Sequence, residues 1–109
     1  MKKNSSCIQE KGLSVEFLEN TSQMLRMLAH PYRLKIVEIL DREGECNVTT
    51  LIDATGQPQS SVSLHLNQMK RMHLLCSRRN GREVVYRISD PRVLRLLNCI
   101  CCSYKEDQG

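Results

Sequence analysis

The sequence predicts a mainly α-helical fold with one small β-hairpin, which places it in the α+β class. Apolar residues recur at helical spacing over most of the chain, the pattern becomes alternating after Leu75, and an Asn-Gly pair interrupts the alternating stretch. The 109 residues suffice for one domain with a single core. No run approaches the roughly 18 apolar residues of a membrane helix, and no secretory signal is recognisable, so we expect a cytoplasmic protein that does not associate with membranes.

Two helices are predicted in the first part of the chain. The first covers about residues 15–28, with the Ser14 side chain as its N-cap. The second covers about residues 31–42 and begins at Pro31, because the missing N–H of proline is one of the unpaired donors of a first helical turn. Gly44 ends this helical pattern.

A pair of shorter helices joined by a tight turn is predicted next. Asn47 can cap a third helix, and Gly56 can end it because glycine readily adopts a positive φ. A fourth helix covers about residues 59–72. Short helices joined by a tight, glycine-containing turn are typical of a helix-turn-helix.

A hairpin and a last helix complete the predicted fold. The hairpin covers about residues 76–88, with its Asn-Gly turn at 80–81. Asp90 and Pro91 begin the last helix, which is expected to reach about residue 104. The expected organisation is a flexible N-terminal arm (1–13), a winged helix-turn-helix domain (14–104) and a polar tail (105–109).

Positive charge is concentrated in the segment that holds the fourth helix and the hairpin. The formal net charge is +4, and residues 57–104 carry eight Lys or Arg but only two Asp or Glu, whereas residues 1–56 carry seven and eight. Such a segment is typical of a surface that faces phosphates. On charge alone, a solvated basic face is an equally good interpretation.

A helix-turn-helix followed by a basic hairpin is the arrangement of a winged helix, which suits double-stranded DNA. The helix enters the major groove, and the arginines of the hairpin reach the phosphates. Serine is a mediocre helix former, so three serines within four positions favour a functional role over an ordinary solvated face. A winged helix that binds a protein instead of DNA is the alternative. The predicted DNA-binding residues are Gln59, Ser60, Ser61, Ser63, Asn67, Arg78, Arg79 and Arg82.

His65 borders the buried side of the fourth helix, so we favour packing inside the domain, with a hydrogen bond there, over contact with DNA. It lies four residues after Ser61, a spacing that would also suit a nucleophilic pair. No orienting carboxylate or oxyanion loop accompanies the two residues, so the sequence does not predict an enzyme.

Three stretches of the chain, taken in order, resemble the ArsR/SmtB family of small dimeric bacterial repressors. They are LAHPYRLKIVEIL, VTTLIDATGQPQSSVSLHLNQMKRMHLL and RRNGREVVYRISDP, and the resemblance covers about residues 25–97. It implies a homodimer built from the first and last helices, and release from double-stranded operator DNA when an inducer binds. The family's DNA-reading positions correspond to Gln59, Ser60, Ser61 and Ser63, and Leu64 stands where a polar residue often follows.

The inducer sites usual in the resembling family are each incomplete in this sequence. A thiolate site at the third helix would have only Cys46. A carboxylate–histidine zinc site on the last helix retains both acids, Asp90 and Glu106, but Arg92 and Ser103 stand where its histidines would be. A redox pair between the second and last helices lacks its helix-two cysteine, which is replaced by Glu38.

The remaining candidate for a sensor is the CICC run at residues 99–102, which holds three of the six cysteines. Cys99 and Cys102 are three residues apart and therefore share one helix face, whereas Cys101 points elsewhere. A third thiolate could come from Cys101, from Cys7 on the N-terminal arm or, with less support, from Cys46. Three thiolates suit As(III), Sb(III) or another soft metal ion, and the resemblance also suggests such an inducer. No cofactor is expected for DNA binding itself.

Two alternatives stay open for the last-helix cysteines. They could pack as small apolar residues at the dimer interface, or they could form a disulfide or polysulfide switch that senses redox state or reactive sulfur. We expect Cys46 and Cys76 to be structural. The sequence identifies neither the inducer nor the operator.

Overall fold

The computed structural model describes residues 12–108 of the chain. The described residues form five helices and one three-stranded antiparallel sheet, which confirms the mainly helical class with a small hairpin. The first eleven residues, which include Cys7 and most of the predicted N-terminal arm, lie outside the described part. The elements in chain order are α1 (Val15–Leu28), α2 (Pro31–Glu43), β1 (Cys46–Asn47), α3 (Val48–Thr55), α4 (Gln59–Arg71), β2 (Leu75–Asn80), β3 (Glu83–Ile88) and α5 (Pro91–Gln108).

The ends of the first helices are fixed by the residues that the sequence indicates. The Ser14 hydroxyl accepts a hydrogen bond from the Phe17 N–H at 3.1 Å, and the Asn47 side chain accepts one from the Thr50 N–H at 2.8 Å. Gly56 ends α3 in the left-handed conformation, with φ of 70°. These local signals bring α4 within a tight turn of α3, as a helix-turn-helix requires.

The sheet contains one strand that the sequence pattern does not predict. Strands β2 and β3 form the expected hairpin, and Gly81 at its tip has a positive φ of 68°. The short strand β1 pairs with β3 through Cys46 opposite Tyr86 and Asn47 opposite Val85, so the strand order is β1-β3-β2. Two residues are too few for an alternating pattern, which is why the sequence shows a two-stranded hairpin where the structure has three strands.

The last helix is longer than expected. It runs through Gln108, so residues 105–108, which are predicted to form a polar tail, continue α5. Lys, Glu and Gln are good helix formers, and neither Gly nor Pro follows Pro91 before the end of the helix. The polar composition of this segment therefore marks a solvated helix end and not a loop.

The core lies between α2, α3, α4, the sheet and one side of α5. It is built from aliphatic residues such as Ile36, Leu51, Leu66 and Val93. Helix α1 contributes only two of its side chains, Met24 and Leu28, to the buried set. Among the described residues, no helix is both long and apolar enough to cross a membrane.

Candidate DNA-binding surface and cysteine site

Helix α4 has one buried face and one open polar face. Its buried side chains are Val62, His65, Leu66 and Met69. Gln59, Ser60 and Asn67 are exposed, whereas Ser61 and Ser63 are half-buried along the flanks of the helix. The predicted DNA-reading residues therefore lie outside the core, and short polar side chains line a face that could enter a groove.

Three arginines flank the tip of the β2–β3 hairpin, but they are not equivalent. Arg78 forms a two-pronged ion pair with Glu45, with Nε to Oε2 at 3.0 Å and Nη2 to Oε1 at 2.8 Å. The hydrogen bond from Arg78 lowers the pKa of the Glu45 carboxyl, so this partner stays charged. Within residues 12–108, Arg79 and Arg82 are exposed and have no carboxylate partner.

Two side-chain hydrogen bonds that the sequence does not predict connect the hairpin to the helix-turn-helix. The Lys70 ammonium donates to the Ser77 hydroxyl at 2.7 Å, which joins the end of α4 to β2. The Asn47 amide, besides capping α3, donates to the Glu83 carboxylate at 2.5 Å. The open face of α4 and the hairpin arginines are thus held in one arrangement.

His65 is a buried packing residue, as predicted. It is 8% exposed, and its Nδ1 accepts a hydrogen bond from Arg33 Nε at 3.0 Å. The His30 ring lies 4.5 Å from the His65 ring, centroid to centroid. Burial lowers the pKa of His65, and the nearby His30 and Arg33 lower it further, so the neutral form is favoured. Because Nδ1 already accepts from Arg33, it is not free to act as a base toward Ser61.

Arg33 joins three helices around this histidine. Besides its bond to His65, its guanidinium donates to the Met27 carbonyl oxygen of α1 at 3.0 Å and to the Gln68 side chain of α4. Arg33 looks like an ordinary exposed helix residue in the sequence. Its partners are up to 35 positions away, so no local pattern could identify the contact.

The two cysteines predicted to share a helix face are both exposed on α5. Cys99 and Cys102 are open to solvent, whereas Cys101 is half-buried and packs against the core. All cysteines among the described residues are free thiols. The side of α5 that faces the core carries Val93 and Leu97, so the exposed pair lies on the opposite side.

The other two described cysteines fit structural roles. Cys46 is buried in the core, and burial raises the pKa of its thiol, which disfavours the thiolate that a metal ion requires. Cys76 is half-buried in β2, opposite Arg87 of β3.

The described residues do not complete a metal site within one protomer. No group of three His, Cys, Asp or Glu side chains that could hold a metal ion occurs among them.

Asp90 is held by Arg92, whose Nη2 lies 2.7 Å from its Oδ2, and this hydrogen bond lowers the Asp90 pKa. The Arg92 backbone N–H also donates to Asp90 Oδ1 at 3.0 Å, so Asp90 caps the start of α5. Glu38 lines one groove with Cys101, so the position opposite this thiol holds a carboxylate.

Exposed apolar side chains are concentrated on α1 and α5. A groove of about 600 Å³ between α2 and α5 adds to this surface, with Leu34 and Leu97 among its lining residues. Several large apolar side chains exposed on the same helices are typical of protein–protein contacts. The exposed residues on the two helices are Val15, Phe17, Leu18, Leu25, Ile100 and Tyr104.

Comparison with known proteins identifies similar chains. The family model of bacterial regulatory proteins, arsR family, matches residues 30–76. The transcriptional repressor PagR of Bacillus anthracis is 43% identical over 86 residues, which cover 76% of this chain and 86% of PagR. The crystal structure of PagR has a TM-score of 0.73 and 37% identity, covering 80% of this chain and 99% of that one.

Two further solved structures extend the similarity over the helical frame. The AntR antimony-specific transcriptional repressor has a TM-score of 0.85 and 30% identity, covering 99% of this chain and 96% of AntR. The homodimeric winged helix-turn-helix DNA-binding domain of a Mycobacterium bovis protein has a TM-score of 0.74 and 29% identity, and 86% of each chain is covered. The similarity to AntR includes nearly all of α5.

Proposed function

Because this chain belongs to the ArsR family of bacterial transcriptional repressors, we propose that it is a homodimer that leaves its operator DNA when a thiophilic inducer binds cysteines of α5. The observation that carries the proposal is the separation of two exposed surfaces. The polar face of α4 and the hairpin arginines form one. Helices α1 and α5 carry the other exposed groups, which are large apolar side chains and, on the side of α5 away from the core, the thiols of Cys99 and Cys102.

The DNA-binding part of the proposal assigns α4 to the major groove. Ser60, Ser63 and Asn67 would contact base edges or phosphates, with Gln59 and Ser61 near the start of the helix. Arg79 and Arg82 would contact phosphates directly. Arg78 must exchange Glu45 for a phosphate before it contributes, so its share is smaller. Two-fold symmetry predicts an inverted-repeat operator with half-sites about one helical turn apart or a multiple of it.

The dimer part of the proposal assigns the partner to the apolar surface of α1 and α5. Helix α1 buries only Met24 and Leu28 in its own protomer, so most of its apolar side chains would be buried only by a second copy of the chain. The homodimeric M. bovis domain, which shares this fold, supports that assignment.

The inducer part of the proposal assigns a soft ion to the thiols of α5. Cys99 and Cys102 supply two thiols on one face, and As(III) or Sb(III) requires a third. Cys101 could supply it if the end of α5 frays, or Cys7 of either subunit could. The relative AntR is a repressor specific for antimony, and it aligns with nearly the whole chain. The exposed pair would also permit a disulfide or polysulfide bridge, which is the second candidate for the switch.

Two measurements test the proposal. Fluorescence anisotropy with the promoter region of the protein's own gene, at low and high salt, should give tight binding with a steep salt dependence, because several arginine–phosphate contacts release counterions. A shallow salt dependence, or no binding, would favour a protein-interaction module.

Mass spectrometry after exposure to arsenite, antimonite, cadmium or a persulfide should then identify the inducer class. The proposal predicts one As or Sb bound through α5 cysteines, in a form that disappears in Cys99→Ser and persists in Cys76→Ser. A sulfur bridge between Cys99 and Cys102 without bound metal would instead establish the redox alternative.

A further inference from the structure

One large apolar side chain lies in the middle of the polar face of α4. Leu64 is 54% exposed. Among residues 12–108, the other exposed large apolar side chains lie in or next to α1, at the start of α2, or on α5: Leu13, Val15, Phe17, Leu18, Leu25, Tyr32, Ile100 and Tyr104. The proposed dimer surface consists of α1 and α5, and Leu64 lies on neither helix, so that surface does not account for it.

The exposed neighbours of Leu64 on the helix surface are polar. Ser60 lies one turn before it, and Asn67 and Arg71 lie one and two turns after it. Each of these can form hydrogen bonds to base edges or phosphates. The Leu64 side chain has no polar atom, so it cannot form hydrogen bonds to base edges or to phosphates. It nevertheless projects from the same surface, directly opposite the buried Leu66 side of α4.

The major groove offers an apolar side chain one specific partner. Each thymine presents a 5-methyl group there, whereas the other natural base edges present hydrogen-bond donors and acceptors. We propose that Leu64 determines operator specificity by packing against the methyl group of one thymine in each half-site. This inference rests on the proposed function, because it requires α4 to lie in the major groove.

The same contact would disfavour cytosine. At that position cytosine presents its N4 amino group, and a leucine packed against it would remove water without supplying an acceptor. The buried methyl group favours thymine, and the unsatisfied amino group disfavours cytosine. Leu64 therefore supplies discrimination that none of the serines of α4 can supply.

Replacing thymine by deoxyuracil removes only the methyl group, so it tests the contact directly. Once footprinting has defined the operator, each thymine is replaced by deoxyuracil at symmetric positions in both half-sites, and affinity is measured by anisotropy. One position should weaken the wild-type dimer about fourfold per half-site, or roughly fifteenfold for both, as expected for one apolar methyl group. Leu64→Ala should bind this uracil operator and the thymine operator within about twofold of each other.

A matched variant and a matched base complete the experiment. Ser60→Ala, one turn away, should bind more weakly but keep the full uracil effect. At the sensitive position, 5-methylcytosine should bind wild-type protein several-fold more tightly than cytosine, which separates the methyl contact from changes in DNA flexibility. Circular dichroism should show Leu64→Ala folded as the wild type, because the side chain is exposed.

The outcomes separate this inference from the proposed function. Wild-type binding that tolerates uracil at every thymine would overturn the role of Leu64 while leaving the repressor function intact. A full uracil effect in Leu64→Ala would do the same. A wild-type protein that binds no DNA would overturn both.

Discussion

The DNA-facing half of the molecule is complete in one protomer, whereas the surface of α1 and α5 is not. Around α3, α4 and the hairpin, Asn47 and Gly56 cap α3, Arg78 is paired with Glu45, and the apolar side of α4 is buried beneath its polar face. On α1 and α5, large apolar side chains and two thiols face solvent. The proposed DNA-binding surface is therefore already formed by one chain, whereas the proposed dimer and inducer surface would be completed by a second copy and by a ligand.

The largest predicted effect distinguishes a core leucine from an interface leucine. Leu66→Ala, at 0% exposure in α4, should lower the free energy of unfolding by about 2–5 kcal/mol, because it leaves a cavity. Leu18→Ala, at 46% exposure on α1, should instead raise the dissociation constant of the dimer, so that its loss of stability disappears at protein concentrations low enough for wild type and variant to be monomeric. Urea titrations at several concentrations check both. If both variants lost the same free energy of unfolding at every protein concentration, the two regions would not differ in the way proposed.

Base reading by α4 should have the next largest effect. Ser60→Ala and Ser63→Ala should each reduce the preference for operator over random DNA by about 1–3 kcal/mol per lost base contact, while the dimer stays folded. Competition binding with both DNAs measures this ratio. If operator preference survives in both variants, base readout lies elsewhere.

The hairpin should respond in a graded way. Arg79→Ala and Arg82→Ala should each reduce the slope of log affinity against log salt by about one unit, and Arg78→Ala by less, because Glu45 already occupies Arg78. Glu45→Gln should free Arg78 and tighten binding to random duplexes. If the three arginine variants reduced the salt slope equally, and Glu45→Gln left the affinity for random duplexes unchanged, the Arg78–Glu45 ion pair would not form in solution.

The smallest effect concerns pH and the Arg33–His65 contact. Burial lowers the pKa of His65 in the folded protein, so the unfolded chain binds the extra proton more readily. The stabilisation is therefore fully present above the ordinary histidine pKa of about 6.5 and is lost as pH falls through the lower folded-state pKa.

His65→Asn provides the matched control for this prediction, because its Oδ1 can still accept from Arg33 but cannot be protonated in this range. Urea unfolding from pH 8 to pH 5 should show the wild type losing stability relative to this variant. Parallel curves would show that His65 does not couple protonation to folding.

Local signals explain how much of the fold the sequence predicts. Ser14, Asn47 and Gly56 act within four residues of themselves, so the helix ends they set are predictable. The two-residue strand β1 and the partners of Arg33 depend on segments brought together by folding, and no periodicity reveals them. The continuation of α5 to Gln108 was hidden because polar residues suit both a tail and a solvated helix.

In the candidate site, too, the features set by local sequence signals are predictable, whereas those set by tertiary contacts are not. Helical periodicity alone places Ser60 and Asn67 away from the buried face of α4, and the spacing of Cys99 and Cys102 puts both thiols on one side of α5. The pairing of Arg78 with Glu45 is a tertiary contact that charge counting misses. The spacing of the cysteines does not select the third thiol that a bound metalloid would require, because Cys101 and Cys7 are both candidates.

The proposed release of DNA depends on Cys99 and Cys102, although neither residue belongs to the proposed DNA-binding surface. Titration of the operator complex with antimonite or arsenite, followed by anisotropy, tests it most directly. Wild type and Cys76→Ser should release DNA, whereas Cys99→Ser, Cys102→Ser and the double variant should bind operator normally and remain bound, because a ligand can act only through its different affinity for the two dimer states. Normal release of DNA from the double variant would contradict the account.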